Sequence, residues 1–291
     1  MYAYLDIKSF VNAQPELGAG EFLYCLVDSA AVPSLHKKLA TVTSPWVSLF
    51  EGSREENALS VAPILIVVAG ESGMVAPNSL LSWLAEKGTF TSCLSFIRSR
   101  HAMREQARAL TARLDARLED RTDVLLRYYD PRVFEALLDI LSERPLGALL
   151  AAAQEWWFVD RTGQVQRVRQ VVPASGDAQE NVELTEAQEF ALVAASEPDQ
   201  IAEILSENFP DELRSLARPL RHAFITGQIV TARQFNVAST YELALFCGLA
   251  LVSGVDYHTE DPWLTVLQAV GRGELKFSDA VLSVEVHAKT V

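Results

Sequence analysis

The stretch LLRYYDPRVFEALL, Leu125–Leu138, places two adjacent tyrosines between arginines and follows them with Asp-Pro-Arg and an apolar helical pattern. Asp130 before Pro131 is the order expected of a helix N-cap followed by a first-turn proline. The stretch therefore predicts a strand that ends near Tyr129 and a helix that begins at Pro131. A catalytic centre, a docking surface and an ordinary strand-to-helix junction would each use these residue types.

Around this stretch, short β-rich runs alternate with helical patterns, which is typical of an α/β layer. The predicted strands are EFLYCLVD, WVSLF, APILIVV, SCLSFIRS and TDVLLRYY, and EWWFVD and VQRVRQVV are expected to form a hairpin with Gly163 in its turn. The two tryptophans of EWWFVD should point to opposite faces. One apolar stripe predicts a long helix before the tyrosines: Met103, Ala107, Leu110, Leu114 and Leu118.

The segment VPASGDAQEN, Val172–Asn181, combines Pro, Gly and polar residues and precedes a purely helical remainder. We therefore expect an α/β domain over residues 1–173, with a mixed sheet and flanking helices, and a smaller all-α domain over residues 182–291. Two pairs with capping-box spacing predict helix starts after the linker: Thr185 with Gln188, and Ser239 with Glu242.

The net charge is -13 over 291 residues, which argues against nucleic acid as a partner because phosphate backbones repel an acidic protein. No apolar run reaches the ~20 residues of a transmembrane helix. The amino-terminal MYAYLDIKSF lacks the basic and apolar regions of a signal peptide. These features predict a cytoplasmic chain without membrane insertion.

The charges are unevenly distributed along the chain. Residues 174–215 contain eleven acidic residues and one basic residue, whereas residues 98–132 contain nine arginines and six acidic residues. Solvated helix faces or complementary docking surfaces would both produce this distribution. The pattern leaves the two explanations open.

The signatures of catalysis and metal binding are missing from the sequence. GAGEFL precedes a predicted strand instead of following one, as a dinucleotide loop would, and no GxSxG or HExxH spacing occurs. The five histidines are scattered, and the widely separated Cys25, Cys93 and Cys247 favour buried thiols over a disulfide framework or zinc site. We therefore expect no catalytic residue, no cofactor and no metal site.

The chain resembles a bacterial family that was catalogued first as a domain of unknown function. Four stretches carry the resemblance over roughly residues 21–141: FLYCLVDSA, PWVSLFEGSREENALSVAPILIVV, SWLAEKGTFTSCLSFIRSR and LLRYYDPRVFEALL. Members of this family are adaptor chaperones of type VI secretion, often called Tap or TEC proteins. The resemblance implies a non-enzymatic cytoplasmic adaptor that holds a toxic effector protein and helps to load it onto a VgrG spike.

The resemblance assigns no individual role to the residues that define its pattern, which are Trp46, Glu51, Arg98, Arg100, Arg127, Tyr128, Tyr129, Asp130 and Arg132. We expect a structural role for Trp46, an N-cap role for Asp130 and an inward orientation for Tyr128. The candidate protein-binding residues are Arg98, Arg100, Arg127, Tyr129 and Arg132, since arginine and tyrosine combine apolar contact area with hydrogen-bonding tips. A fold-locking role is the alternative for the same residues.

Two other functions stay open at this point. One is a hydrolase-like enzyme whose active-site residues only the fold brings together. The other is a regulatory module that binds a small ligand between its two domains. Neither has a sequence signature.

Overall fold

The computed structural model describes residues 3–70, 73–169 and 182–281, so the predicted linker lies outside the described residues. The chain divides into two compact units, residues 1–194 and 195–291. The division falls within the helix Glu186–Asn208. Independent folding of a domain that ends before the linker stays a prediction.

The first unit contains all the described strands. They are β1 (Phe22–Asp28), β2 (Trp46–Ser48), β3 (Pro63–Gly70), β4 (Met74–Val75), β5 (Leu94–Ser99), β6 (Asp115–Leu118), β7 (Asp123–Leu125), β8 (Glu155–Val159), β9 (Val165–Arg167) and β10 (Val182–Leu184). A seven-stranded antiparallel sheet has the order β2-β3-β1-β5-β8-β9, with β4 paired to β3. A small mixed sheet has the order β10-β6-β7, in which β10 is parallel to β6.

Among the described residues up to residue 150, the strands are accompanied by the α-helices α1 (Ile7–Ala13), α2 (Leu35–Leu39), α3 (Asn78–Gly88), α4 (Met103–Thr111), α5 (Pro131–Ile140) and α6 (Glu143–Leu150). Further helices are α7 (Glu186–Asn208), α8 (Pro210–Ser215), α9 (Arg221–Gln234), α10 (Thr240–Ser253) and α11 (Trp263–Gly271), and residues 277–281 are also helical. The predicted α/β class with a carboxyl-terminal helical region is confirmed. None of the described helices is long and apolar enough to cross a membrane.

The large sheet is covered on both faces, which explains the nearly continuous apolar runs of its central strands. Every residue of β3 is buried, as are all but the first of β1. Trp156 stacks on Phe134 at 4.8 Å on one face, and Trp157 contacts Phe10 edge-on at 5.8 Å on the other. The prediction that the two tryptophans point to opposite faces is confirmed.

The long helix predicted over residues 103–118 is wrong, because α4 ends at Thr111 and β6 follows it. Leu114, Ala116 and Leu118 alternate with polar residues, so they also fit the period of two that a strand requires. Pairing with β7 and β10 holds Ala116 in the core, and Leu114, directly before β6, is buried in the same core while its carbonyl accepts the Leu126 N–H. Tertiary contacts thus select strand over helix for these residues.

Two polar side chains donate hydrogen bonds to backbone carbonyls at the end of α4. The Tyr128 hydroxyl donates to the Leu110 carbonyl at 2.7 Å. The Arg113 guanidinium donates to the carbonyls of Ala109, Ala148 and Leu149, and therefore connects the ends of α4 and α6. Burial lowers the pKa of Arg113. Arg113 thus supplies donors to carbonyls in the last turns of α4 and α6, while the Leu110 carbonyl accepts both the Tyr128 hydroxyl and the Arg113 backbone N–H.

The predicted strand through the tyrosines is shorter than expected, because β7 ends at Leu125. Arg127 to Asp130 form a turn in which the Asp130 N–H donates to the Arg127 carbonyl at 3.0 Å. The predicted hairpin of β8 and β9 is confirmed, with Gly163 at φ +84° in its turn.

The helices of residues 195–281 surround a separate apolar core that contains Ile229, Phe246 and the buried thiol Cys247. Close packing occurs at Gly248, where an added Cβ would lie 2.6 Å from the Phe209 ring. The predicted capping pairs are also present. At the start of α7, the Thr185 N–H donates to the Gln188 side-chain carbonyl, and the Gln188 N–H donates to the Thr185 hydroxyl. At the start of α10, the Ser239 hydroxyl accepts from the Glu242 N–H.

Replacing Gly163 with Ala should destabilise the β8–β9 hairpin through both backbone strain and a clash with Phe90, whose ring lies 2.7 Å from the position of the new Cβ. Gly52→Ala is the matched control, because Gly52 has φ +74° but no atom within 4 Å of an added Cβ. We expect a loss of about 1–2 kcal/mol for Gly52→Ala, from the left-handed backbone alone, and a larger loss for Gly163→Ala. Urea unfolding measures both; equal losses would contradict the clash.

Candidate functional site

The five candidate binding residues lie in two clusters at opposite ends of β1. Asp28 ends the strand and belongs to the cluster of Arg127 and Arg132, whereas Glu21 directly precedes it and binds Arg98 and Arg100. A seven-residue strand spans about 20 Å, since each residue advances about 3.3 Å. The candidate residues therefore form two separate sites.

The first site, which we call the Asp130 cluster, consists of Asp28, Arg127, Tyr129, Asp130 and Arg132. Asp130 is the N-cap of α5, and one of its oxygens accepts the Arg132 backbone N–H at 3.0 Å. The Arg132 guanidinium donates to both carboxylate oxygens, at 2.9 Å from Nε and 2.7 Å from Nη2. The predicted N-cap is confirmed, and the same carboxylate also holds a bidentate ion pair.

Arg127 connects the two buried carboxylates of the Asp130 cluster. Its Nη2 lies 3.3 Å from Asp28 Oδ2 and 3.4 Å from Asp130 Oδ2. The Asp28 and Asp130 side chains are only 2% and 3% exposed, whereas those of Arg127 and Arg132 are 46% and 36% exposed. Fixed anions beneath the surface thus orient two guanidinium groups that solvent can reach.

The two tyrosines are part of the core. Tyr128 is fully buried, which confirms its predicted inward orientation, and Tyr129 is 3% exposed and meets Phe50 edge-on at 6.2 Å. The Arg127 guanidinium lies 6.0 Å from the centre of the Tyr129 ring. Burial raises the pKa of Tyr129 to about 12 and raises that of Tyr128 as well. Tyr129 therefore contacts the Arg127 guanidinium from the core side, and its contact with a partner stays a prediction.

The second site, the Glu21 cluster, consists of Glu21, Arg98 and Arg100. Arg98 Nε lies 3.2 Å from one oxygen of Glu21, and Arg100 Nε lies 3.2 Å from the other. The Arg98 side chain is 11% exposed and that of Arg100 is 71% exposed. Arg98 accordingly has the geometry of a structural ion pair, whereas Arg100 presents its charge to solvent.

Arg98 also fixes the segment that follows α1, because its guanidinium donates to the carbonyls of Pro15 and Glu16 at 3.4 and 3.2 Å. These two residues line an open pocket of about 470 Å³, together with Leu23 and with Met74 and Val75 of β4. The pocket has the volume of a small-ligand site.

The pKa values of Glu21 and Asp28 are shifted in opposite directions. The hydrogen bonds from Arg98 and from the Gly18 N–H lower the pKa of Glu21 to about 2. Burial raises the pKa of Asp28, although Arg127 opposes this shift, and the nearby Asp130 adds to it. The sequence did not predict that Glu21 and Asp28 belong to the two sites. The only local signal is that each is a carboxylate at the end of an apolar strand.

The thiols have the properties of core residues. Burial raises the pKa of Cys25, and it raises the pKa of Cys93 and of Cys247 to about 12, which disfavours the reactive thiolate. Cys93 Sγ lies 3.1 Å from the Thr91 hydroxyl, while His101 Nδ1 lies 3.1 Å from Glu105. Within residues 3–70, 73–169 and 182–281, no three His, Cys, Asp or Glu side chains form a group able to hold a metal ion.

Trp46 is partly exposed, with 39% of its surface accessible, as are Leu59 and Val61 in the same stretch of sequence. It lies in β2, at the end of the large sheet, and the His36 ring of α2 meets it edge-on at 5.9 Å. A purely structural role for Trp46 leaves this exposed surface unexplained.

Replacing Asp130 with Ala should remove the cap of α5 and the shared anion of Arg127 and Arg132. An N-cap alone contributes about 0.5–2 kcal/mol to stability. We therefore expect the free energy of unfolding to fall by that amount or more. Asp130→Asn keeps a cap acceptor but no charge, so it should recover part of that loss. Urea unfolding of the two variants separates the cap from the ion pairs. Equal stability of Asp130→Ala and the wild-type protein would contradict both roles.

Replacing Glu21 with Gln should make the free energy of unfolding less sensitive to low pH. The pKa of Glu21 is lowered from its ordinary 4.5 to about 2, so its stabilising contribution is complete above about pH 4.5 and is lost as the pH falls towards 2. Asp28 has a raised pKa and acts in the opposite direction, but it is present in both proteins. We expect a shallower fall of the free energy of unfolding in Glu21→Gln, measured with urea from pH 6 to pH 2. Parallel pH profiles would refute this role.

Comparison with known proteins gives a match to one protein-family model. No curated protein and no solved structure matches the chain. Residues 23–148 match a family described as Domain of unknown function (DUF4123). The match begins in β1 and ends in α6, and it includes the whole of the Asp130 cluster together with Arg98, Arg100 and Trp46.

Proposed function

We propose that this protein is a cytoplasmic adaptor chaperone of type VI secretion that binds one effector protein and promotes its loading onto a VgrG spike. The observation that carries the proposal is the match of residues 23–148 to a domain of unknown function. The adaptor family that the sequence motifs resemble was first catalogued under such a description. The matched residues include the whole Asp130 cluster and the two arginines of the Glu21 cluster, whereas Glu21 itself precedes the match.

The geometry of the Asp130 cluster supports a binding role over a catalytic one. Arg127 and Arg132 are half-exposed, and buried carboxylates fix their positions before any partner arrives. Preorganised arginines lose little conformational freedom on binding and are frequent among residues that dominate interfaces. Arg100, with 71% of its side chain exposed, offers a second contact about one strand length away. Two separated contacts suit a protein partner better than a small substrate.

The pocket beside the Glu21 cluster favours one second candidate, a module that binds a small ligand. Its volume of about 470 Å³ lies in the range of ligand sites, and it is open to solvent within the first unit. A small molecule that stays with the protein through purification would favour this candidate over the adaptor.

Co-purification of the full chain with the products of neighbouring genes tests the adaptor proposal. We expect a stable complex with one toxin-like protein, and a second association with a spike protein. An absence of any complex with either class of gene product, under conditions where all the proteins are soluble, would refute the proposal.

Alanine variants test the Asp130 cluster within that complex. Arg132→Ala should lower the affinity for the effector about tenfold or more, as loss of an interface arginine typically does, with little change in melting temperature because Arg127 still pairs with Asp130. Arg127→Ala should lower both the affinity for the effector and the melting temperature, because the buried Asp28 carboxylate loses its cation. Arg214→Ala is the control, because Arg214 is an exposed arginine in an ion pair outside both clusters. Unchanged binding and melting of both variants would leave the stretch a simple strand-to-helix junction.

A further inference from the structure

Arg127 has donor groups that its ion pairs leave available. A guanidinium carries N–H donors on Nε, Nη1 and Nη2, and only the Nη2 atom of Arg127 lies within hydrogen-bond distance of Asp28 and Asp130. The Tyr129 hydroxyl can engage one of the other donors, since a hydrogen bond from Arg127 affects its pKa. The Arg127 side chain is 46% exposed, so its remaining donors are accessible to a partner.

The Asp130 cluster has no net formal charge, which bears on the kind of acceptor it can bind. The carboxylates of Asp28 and Asp130 balance the guanidinium groups of Arg127 and Arg132. A carboxylate from a partner would be attracted by the two cations but repelled by the two anions that pair with them. Such repulsion already acts inside the cluster, because Asp130 adds to the raised pKa of Asp28. An acceptor without a full charge avoids it.

Three other arginines of this chain donate to backbone carbonyls where helices end. Arg113 donates to carbonyls in the last turns of α4 and α6. Arg221 Nε donates at 3.0 Å to the carbonyl of Leu216, the residue that follows α8. Arg98 donates to two carbonyls in the segment that follows α1.

The carboxyl-terminal end of a helix fits both properties of the Asp130 cluster. Its last carbonyls have no partner within the helix, so it presents several acceptors to several donors. Its negative charge is only partial, because it arises from the aligned peptide dipoles. Arg127 and Arg132 both bond to Asp130, so their guanidinium groups lie close enough to reach the same helical turn.

We infer that the Asp130 cluster binds the carboxyl-terminal turn of an effector helix, whose unpaired backbone carbonyls accept hydrogen bonds from Arg127 and Arg132. This inference rests on the proposed adaptor function and adds the chemistry that the cluster recognises. Recognition then depends on the planar donor fork of arginine, which a lysine ammonium does not reproduce. It does not depend on a charged residue of the effector.

A lysine variant tests the requirement for the fork, with binding of the full chain to the effector from the neighbouring gene measured by biolayer interferometry. Arg132→Lys keeps a positive charge beside Asp130, so the melting temperature should not change. The dissociation constant should still rise about tenfold, as for Arg132→Ala. Arg214→Lys is the matched control, because Arg214 is an exposed, ion-paired arginine outside the cluster, and its constant should stay within about twofold. Binding of Arg132→Lys at wild-type affinity would overturn the inference.

Double-mutant cycles separate a carbonyl partner from a carboxylate partner. Hydrogen exchange first locates the effector segment that binding protects. Each Asp and Glu of that segment is then replaced by Asn or Gln and combined with Arg132→Ala. We expect the effects to be additive in every cycle, because the arginine contacts backbone. An acidic residue of the effector whose replacement abolishes the effect of Arg132→Ala would identify a carboxylate partner and overturn the inference.

The same measurements distinguish failure of the inference from failure of the proposed function. If the wild-type protein binds the effector but neither Arg132→Lys nor Arg132→Ala weakens binding, the recognition of a helix end is wrong and the adaptor function stands. If the wild-type protein binds no effector, both are wrong.

Discussion

The carboxylate of Asp130 is the interaction on which the candidate site depends. It is buried, so water cannot satisfy it, and it accepts instead from the first turn of α5 and from two arginines. The cap determines where α5 begins, and the position of α5 places Phe134 against Trp156 on the large sheet. The same oxygens determine where Arg127 and Arg132 stand. One buried anion therefore fixes both a helix of the core and the charged groups above it, so the fold and the candidate binding residues depend on the same carboxylate.

Local chemistry was enough to predict the parts of the structure that depend on neighbours in sequence. The cap at Asp130 and the turn at Gly163 each follow from residue types within a few positions. The helix predicted through Leu114 failed because alternation and helical spacing coincide over so few residues, and only pairing with β7 and β10 decides between them. The strand predicted through Tyr129 is wrong for a related reason: the local pattern does not show that pairing with the neighbouring strand ends at Leu125.

The candidate site was predictable only in part. The sequence indicated the arginines, and the grouping of Arg127 with Arg132 followed from their nearness in the chain. Their anions could not be found in the same way, because Asp28 lies 99 positions from Arg127 and meets it only through the sheet. The separation of Arg98 and Arg100 from the other candidates likewise follows from the direction of β5, which runs antiparallel to β1. Exposure of Trp46 depends on β2 being a terminal strand, which no local pattern encodes.

The order of strands in the large sheet has a consequence for how the chain is made. The centre of the sheet is β1 with β3 and β5 on either side, and these strands leave the ribosome early. The partner on the other side of β5 is β8, which begins at Glu155, more than fifty residues after β5 ends at Ser99. At about 5–20 residues per second, the apolar edge of β5 waits roughly 3 to 11 seconds for that partner. Throughout this interval α4, β6, β7, α5 and α6 emerge, so the segment that carries the Asp130 cluster is synthesised while the sheet is still open.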